Sequence, residues 1–96
     1  MGARQYLIKT VTESDKRHFI AWLEKKPARE TYDYHESTEC LLAQYLRDSG
    51  FTRVIVSQRS FYHNTAEGSL PLKFNEIAST RPHTFGAALS RAKTAL

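Results

Sequence analysis

The chain predicts a small α+β domain, with three or four helices packed against a two-stranded β-ribbon. Three observations carry that prediction. Apolar residues recur at helical spacing in several separate stretches, each bounded by residues that cap or end helices. Two other stretches, residues 4–11 and 51–58, are richer in β-branched side chains and suit strands. Finally, 96 residues with 41% apolar and 25% charged content are enough for one hydrophobic core. Residues 1–96 are therefore read as a single domain.

The elements follow in order. "RQYLIKTV" alternates weakly and reads as the first strand. In "TESDKRHFIAWLEKKP", Thr12 or Ser14 can cap a helix, and Glu13 and Asp15 suit its positive end. Lys25 and Lys26 suit its negative end, and Pro27 stops it. Phe19, Ile20, Trp22 and Leu23 share one side of that helix, which makes Trp22 a core anchor. "ARETYDYHE" loses the periodicity and reads as a loop.

"STECLLAQYLRDSG" reads as the second helix, capped by Ser37 or Thr38 and ended by Gly50 in the left-handed conformation. Its apolar stripe is Leu41, Leu42, Tyr45 and Leu46. Cys40 falls near Arg47 on the far side, where the loop carrying Tyr32 and Tyr34 is the natural cover. "FTRVIVSQ" is the second strand, and "RSFYHNTAEGS" reads as a loop. "LPLKFNEIAS" predicts a third helix with Pro71 in its first turn and Phe74, Ile77 and Ala78 on one face. Thr84 can cap a fourth, "FGAALSRAKTAL", in which Phe85, Ala88, Leu89, Ala92 and Leu96 align. Its alanines allow a close helix neighbour.

A net charge of +4 fits a solvated basic surface, and equally admits an acidic partner, either nucleic acid or a nucleoprotein surface. A single cysteine forms no internal disulfide, so no oxidising compartment is implied. No apolar run approaches the length of a membrane span, and the first residues lack a signal-peptide core. Tyr6 breaks the myristoylation pattern that Gly2 would begin. The expectation is a cytoplasmic protein with no membrane partner.

Candidate chemistry centres first on Cys40. A thiol in the first turn of a helix can be activated by the helix dipole, with His35 or His63 as base. Against this, Glu36 and Glu39 flank the thiol and oppose thiolate formation. No glycine-rich oxyanion loop accompanies it. Asp33, His35, Cys40, His63 and His83 are the available metal ligands, but their spacing fits no zinc pattern. No cofactor is expected. A helix-turn-helix reading of residues 41–58 fails because the segment after Gly50 is β-branched.

Candidate binding residues form two groups. Glu30, Asp33, Glu36 and Glu39 recur at every third position, a negative patch suited to a basic surface. Arg53, Arg59, Tyr62 and His63 interleave cations with aromatic rings around Phe61. That composition is shared by protein-interface hot spots and single-strand nucleic-acid platforms. From Ile77 onward Arg81, Arg91 and Lys93 stand without an acid, which keeps direct nucleic-acid binding open.

The pattern "FIAWLEKKP…YDY…CLLAQYL…G" over residues 19–50, with "TFGAALSRA" near the C-terminus, resembles small proteins encoded by phages and prophages of proteobacteria. The resemblance implies no catalytic residues. It implies an accessory protein that binds a complex of the bacterial host, with inhibitors of host defence such as anti-CRISPR proteins as the sharpest form. Three readings follow: a non-catalytic binder of a protein or nucleoprotein complex, a small Cys/His enzyme using Cys40, and a direct nucleic-acid binder.

Overall fold

A computed structural model describes residues 13–57, 60–63 and 66–96, with the side chains of 13–15, 63 and 66 outside that description. Among these residues the order is α1 (Glu13–Glu24), α2 (Leu41–Asp48), β1 (Ile55–Ser57), β2 (Ser60–His63), β3 (Ala66–Ser69), α3 (Leu72–Ser79) and α4 (Phe85–Ala95). The α+β class holds, with four helices and one antiparallel sheet. Among the described residues the sheet has three strands in sequential order, however, in place of a two-stranded ribbon. Two of them occupy the stretch expected to be a loop. The expected strand over residues 4–11 lies outside the described residues.

The helices form for the reasons their sequences suggest. On α1, Phe19 and Leu23 are fully buried while Ile20 and Trp22 pack at the edge of the core. Trp22 is thus a rim residue: its indole donates to Asp48 Oδ2 at 2.8 Å, tying α1 to the end of α2. Lys26 lies 5.0 Å from the Trp22 ring and 3.4 Å from the same carboxylate, so a cation, a ring and an anion close that corner.

The second helix starts later than its sequence suggests. Ser37 and Thr38 stand in a turn, and Cys40 occupies the flanking position in extended backbone (φ −66°, ψ 166°). The chain closes this turn with Cys40 N donating to Glu36 O at 2.8 Å before the helical ladder begins with Gln44 N donating to Cys40 O. The end of α2 matches expectation. Gly50 has φ 107°, Phe51 N donates to Leu46 O, and Gly50 N donates to Arg47 O. That reciprocal pair satisfies carbonyls the helix would otherwise leave open, and it folds Phe51 back into the core.

α3 begins just after Pro71, which flanks the helix. Thr84 caps α4 by accepting from Ala87 N at 3.2 Å. The small residues of α4 do what their size permits: Ala88 and Ala92 are fully buried, and α4 packs against α1 and α3. One stitch holds the long loop to this helix. Tyr32 N donates to His83 O, Phe85 N to Glu30 O and Gly86 N to Ala28 O.

The sheet lies beyond α2. Val56 pairs with Phe61 and Phe61 with Gly68, and Val56 and Phe61 point into the core. By strand alternation the opposite face carries two rows across the strands: Ile55, Tyr62 and Glu67, then Ser57, Ser60 and Ser69. Phe19, Tyr45 and Phe74 meet at the centre of the molecule, with Phe19 stacked on Phe74 at 4.2 Å between centroids.

Candidate binding site

Cys40 is 4% exposed and belongs to the core. Burial raises its pKa, more than the amides of Ala43 and Leu42 at the helix start lower it. Burial therefore favours the neutral thiol, the usual state of a packed cysteine. Its cover includes the tyrosine loop, but Cys40 precedes α2 in extended backbone and does not lie in the helix's first turn, so no helical face places it. Cys40 shares a cavity of about 350 Å3 with Tyr34, His35, Ser37, Leu42 and residues 55–57. The structure therefore brings Cys40 and His35 to one lining, but around a thiol held protonated. His63 contributes its backbone to β2 and its side chain lies outside the described part. Among the described residues no cluster of three or more metal-ligating side chains forms, and His83 is engaged elsewhere through a 2.9 Å hydrogen bond to Ser79 O.

Of the aromatic–arginine group, the described side chains are those of Arg53, Phe61 and Tyr62. Phe61 is core at 1% exposure, while its neighbour Tyr62 is 50% exposed on the outward face. Directly across from Tyr62 stands Ile55, at 49%. In a continuous run of Val54, Ile55 and Val56, sequence gives no polar residue to mark the outward position. Only the buried state of Val54 and Val56 singles Ile55 out. Arg53 is exposed just before β1 and has φ 53°, in the left-handed region where a side chain with a Cβ costs about 1–2 kcal/mol. Arg59 lies outside the described residues.

The acidic group is exposed throughout, but its members differ in use. Asp33 Oδ1 accepts from His35 N at 3.0 Å, and Glu36 Oε1 accepts from Thr38 Oγ1 at 3.2 Å. Both carboxylates thereby shape the loop while remaining open to a cation. Glu39 is paired with Arg47 at 3.3 Å. Glu30 sits apart, where its carbonyl receives Phe85 N at the start of α4. The loop bearing Asp33 and Glu36 joins the sheet directly, because Val56 N donates to Ser37 O at 2.9 Å across the outer edge of β1.

Of the basic residues from Ile77 onward, Arg91 is spent inside the fold, whereas Arg81 and Lys93 are exposed. Arg91 Nε and Nη2 donate to Ile77 O, at 3.0 and 2.7 Å, and Nη1 donates to Pro82 O. Nη2 also donates to the Tyr32 hydroxyl, which in turn donates to Ala78 O at 2.6 Å. Lys93 pairs with Glu24, and Lys73 donates to Ala95 O. A nucleic-acid surface that used Arg91 would have to give up its bonds to Ile77, Pro82 and Tyr32.

No helix among the described residues is long and apolar enough to cross a membrane. No family model, curated protein or solved structure matches the chain.

Proposed function

We propose that this chain is a non-catalytic binding protein of phage type. It acts by occupying a surface of a host protein or nucleoprotein complex, as an anti-CRISPR or another inhibitor of host defence does. The observation that carries the binding reading is the pair Ile55 and Tyr62, two large side chains opposite each other and half exposed on a sheet face. Exposed apolar residues set side by side, with an aromatic among them, mark contact surfaces more often than isolated ones do. Arg53 adds to this. It keeps a backbone conformation that glycine or asparagine would hold at less cost, and such local expense collects at functional positions. Asp33 and Glu36, on the loop beside β1, supply a second contact patch of opposite sign. The resemblance noted above supplies the phage context, and the buried neutral Cys40 speaks against the enzymatic alternative.

The test is capture of a partner from bacterial lysate on immobilised protein, with three variants in parallel. Arg53→Glu and Tyr62→Ala should release the retained complex, whereas Arg29→Glu, an exposed change on the loop after α1, should keep it. A partner held equally by all four proteins, or no partner at all, would make this surface assignment wrong.

A further inference from the structure

We infer that the outer edge of β3 pairs with itself: a second copy of this chain adds its own β3 antiparallel there, joining the three strands of each copy into one sheet. The inference goes beyond the binding reading above and does not depend on it, since it uses the edge of the sheet and not its outward face.

The two edges of the sheet differ. At β1, Val56 N donates to Ser37 O at 2.9 Å, so the chain before α2 already occupies that edge. The same bond fixes the direction of the backbone groups across the whole sheet. Val56 donates away from β2, so Val56 and Phe61 exchange no backbone bonds with each other, and the backbone groups of Phe61 face β3. Phe61 and Gly68 are then a bonded pair between β2 and β3. Glu67 and Ser69, on either side of Gly68, direct their N–H and C=O groups out of the sheet. Among the described residues no hydrogen bond reaches those groups.

An open edge of this kind takes an extended strand. The order of residues in β3 selects a second copy of itself, in one register. With Glu67 opposite Glu67, like charges stand face to face, which is destabilising. With Ser69 opposite Ser69, Glu67 meets Pro71, which has no N–H to give. With the two-fold axis at Gly68, Glu67 of each copy pairs with Ser69 of the other, and every outward N–H and C=O of both residues is bonded. The Glu67 carboxylate then stands beside a serine hydroxyl that can donate to it. Gly68 meets Gly68, with no side chain on either strand. The strand is thus complementary to itself, as a two-fold interface requires.

Residues directly opposed across two strands point to the same side of a sheet. The Ile55 and Tyr62 pairs of both copies therefore come to lie on one continuous outward face. Two strands as short as Ala66–Ser69 make a small interface, so the dimer is weak and its population depends on concentration.

The experiment is sedimentation equilibrium of the full chain at concentrations up to about 1 mM, a range that covers weak pairs. Amide hydrogen exchange by NMR is followed over the same range. The expected result is an average mass that climbs from one chain towards two. The amides of Glu67 and Ser69 should gain several-fold protection in step with it, while the Gly68 amide is protected throughout. Ser69→Lys, which sets a cation opposite Glu67 of the second copy, should tighten the dimer several-fold, and Ser69→Glu should weaken it by a similar factor. Ser69→Pro removes an outward N–H that β2 does not use, a change an edge strand tolerates. It should abolish the dimer and leave the unfolding midpoint of the dilute chain close to that of the parent. A chain that stays monomeric to the top of the range overturns the proposal. So does a dimer whose Glu67 and Ser69 amides exchange as freely as in the monomer, or one that Ser69→Lys and Ser69→Glu leave equally stable.

Discussion

Tyr62 stands directly across from Ile55 on the neighbouring antiparallel strand, and both side chains remain half exposed. One position along the same two strands, Val56 and Phe61 make the equivalent pair on the buried face. A single register therefore assigns opposite roles to adjacent residues, packing for Phe61 and surface for Tyr62. The prediction is a divergence in stability. Tyr62→Ser should cost less than about 1 kcal/mol, the scale of one cross-strand contact. Phe61→Ala should cost about 3–5 kcal/mol, the scale of a truncated core aromatic. Chemical denaturation of the two variants measures both.

The tyrosine loop makes stability depend on alkaline pH. Burial pushes the Tyr32 hydroxyl up to about 12, against the opposing pull of the Arg91 guanidinium. The Cys40 thiol is raised as well, again chiefly by burial. In the unfolded chain these groups ionise near their ordinary values of 10.0 and 9.0, so the unfolded state loses both protons first. Their contribution is complete below those unfolded values and declines as pH rises through the folded ones. Unfolding midpoints should therefore fall with each step of pH from about 9 towards 12. Tyr32→Phe should flatten the upper part of that decline. It should also lower stability at neutral pH, because the bonds to Ala78 and Arg91 are lost.

Gly86 is required by a close approach. A Cβ at this position would stand 2.9 Å from both the Cβ and the carbonyl oxygen of Ala28, at the stitch where Gly86 N donates to Ala28 O. Gly86→Ala should destabilise by about 1–3 kcal/mol, as an overpacked contact does. Ala28→Gly in the same chain should restore part of the loss, since it removes one of the two obstructing atoms. Thermal unfolding of the single and double variants measures the coupling.

Much of the helical framework was legible because local chemistry determined it. Gly50 reads as a helix end, and the structure uses its left-handed backbone to turn Phe51 inward. Thr84 reads as a cap and accepts the expected amide. Phe74, Ile77 and Ala78 align on one face and are buried together. The start of α2 was misjudged because Ser37 and Thr38 read as caps, whereas both stand in a preceding turn in which the Thr38 hydroxyl donates to Glu36.

The second and third strands were missed for a different reason. Among the described side chains of residues 60–69 Phe61 is the one large residue that enters the core, and Gly68 faces it with no side chain at all. Too little alternation remains to mark a strand, and pairing with β1 decides the outcome. The candidate site was half visible for the same reason. Tyr62 and Arg53 stand out by residue type, but Ile55 becomes a surface residue only once the register is known. The fate of Arg91 was not legible, since its partners Tyr32 and Ile77 are remote in the chain.

The central claim is that the outward sheet face binds a partner and is not needed to hold the fold. Arg53→Gly combined with Tyr62→Ala tests it most directly, because glycine relieves the left-handed backbone at φ 53° while alanine removes the exposed ring. The measurement is the affinity of this double variant for the captured complex, taken beside its unfolding midpoint. The account predicts a midpoint close to that of the parent chain, with affinity lower by at least about tenfold, or about 1.4 kcal/mol. A double variant that keeps both its stability and its affinity would contradict it.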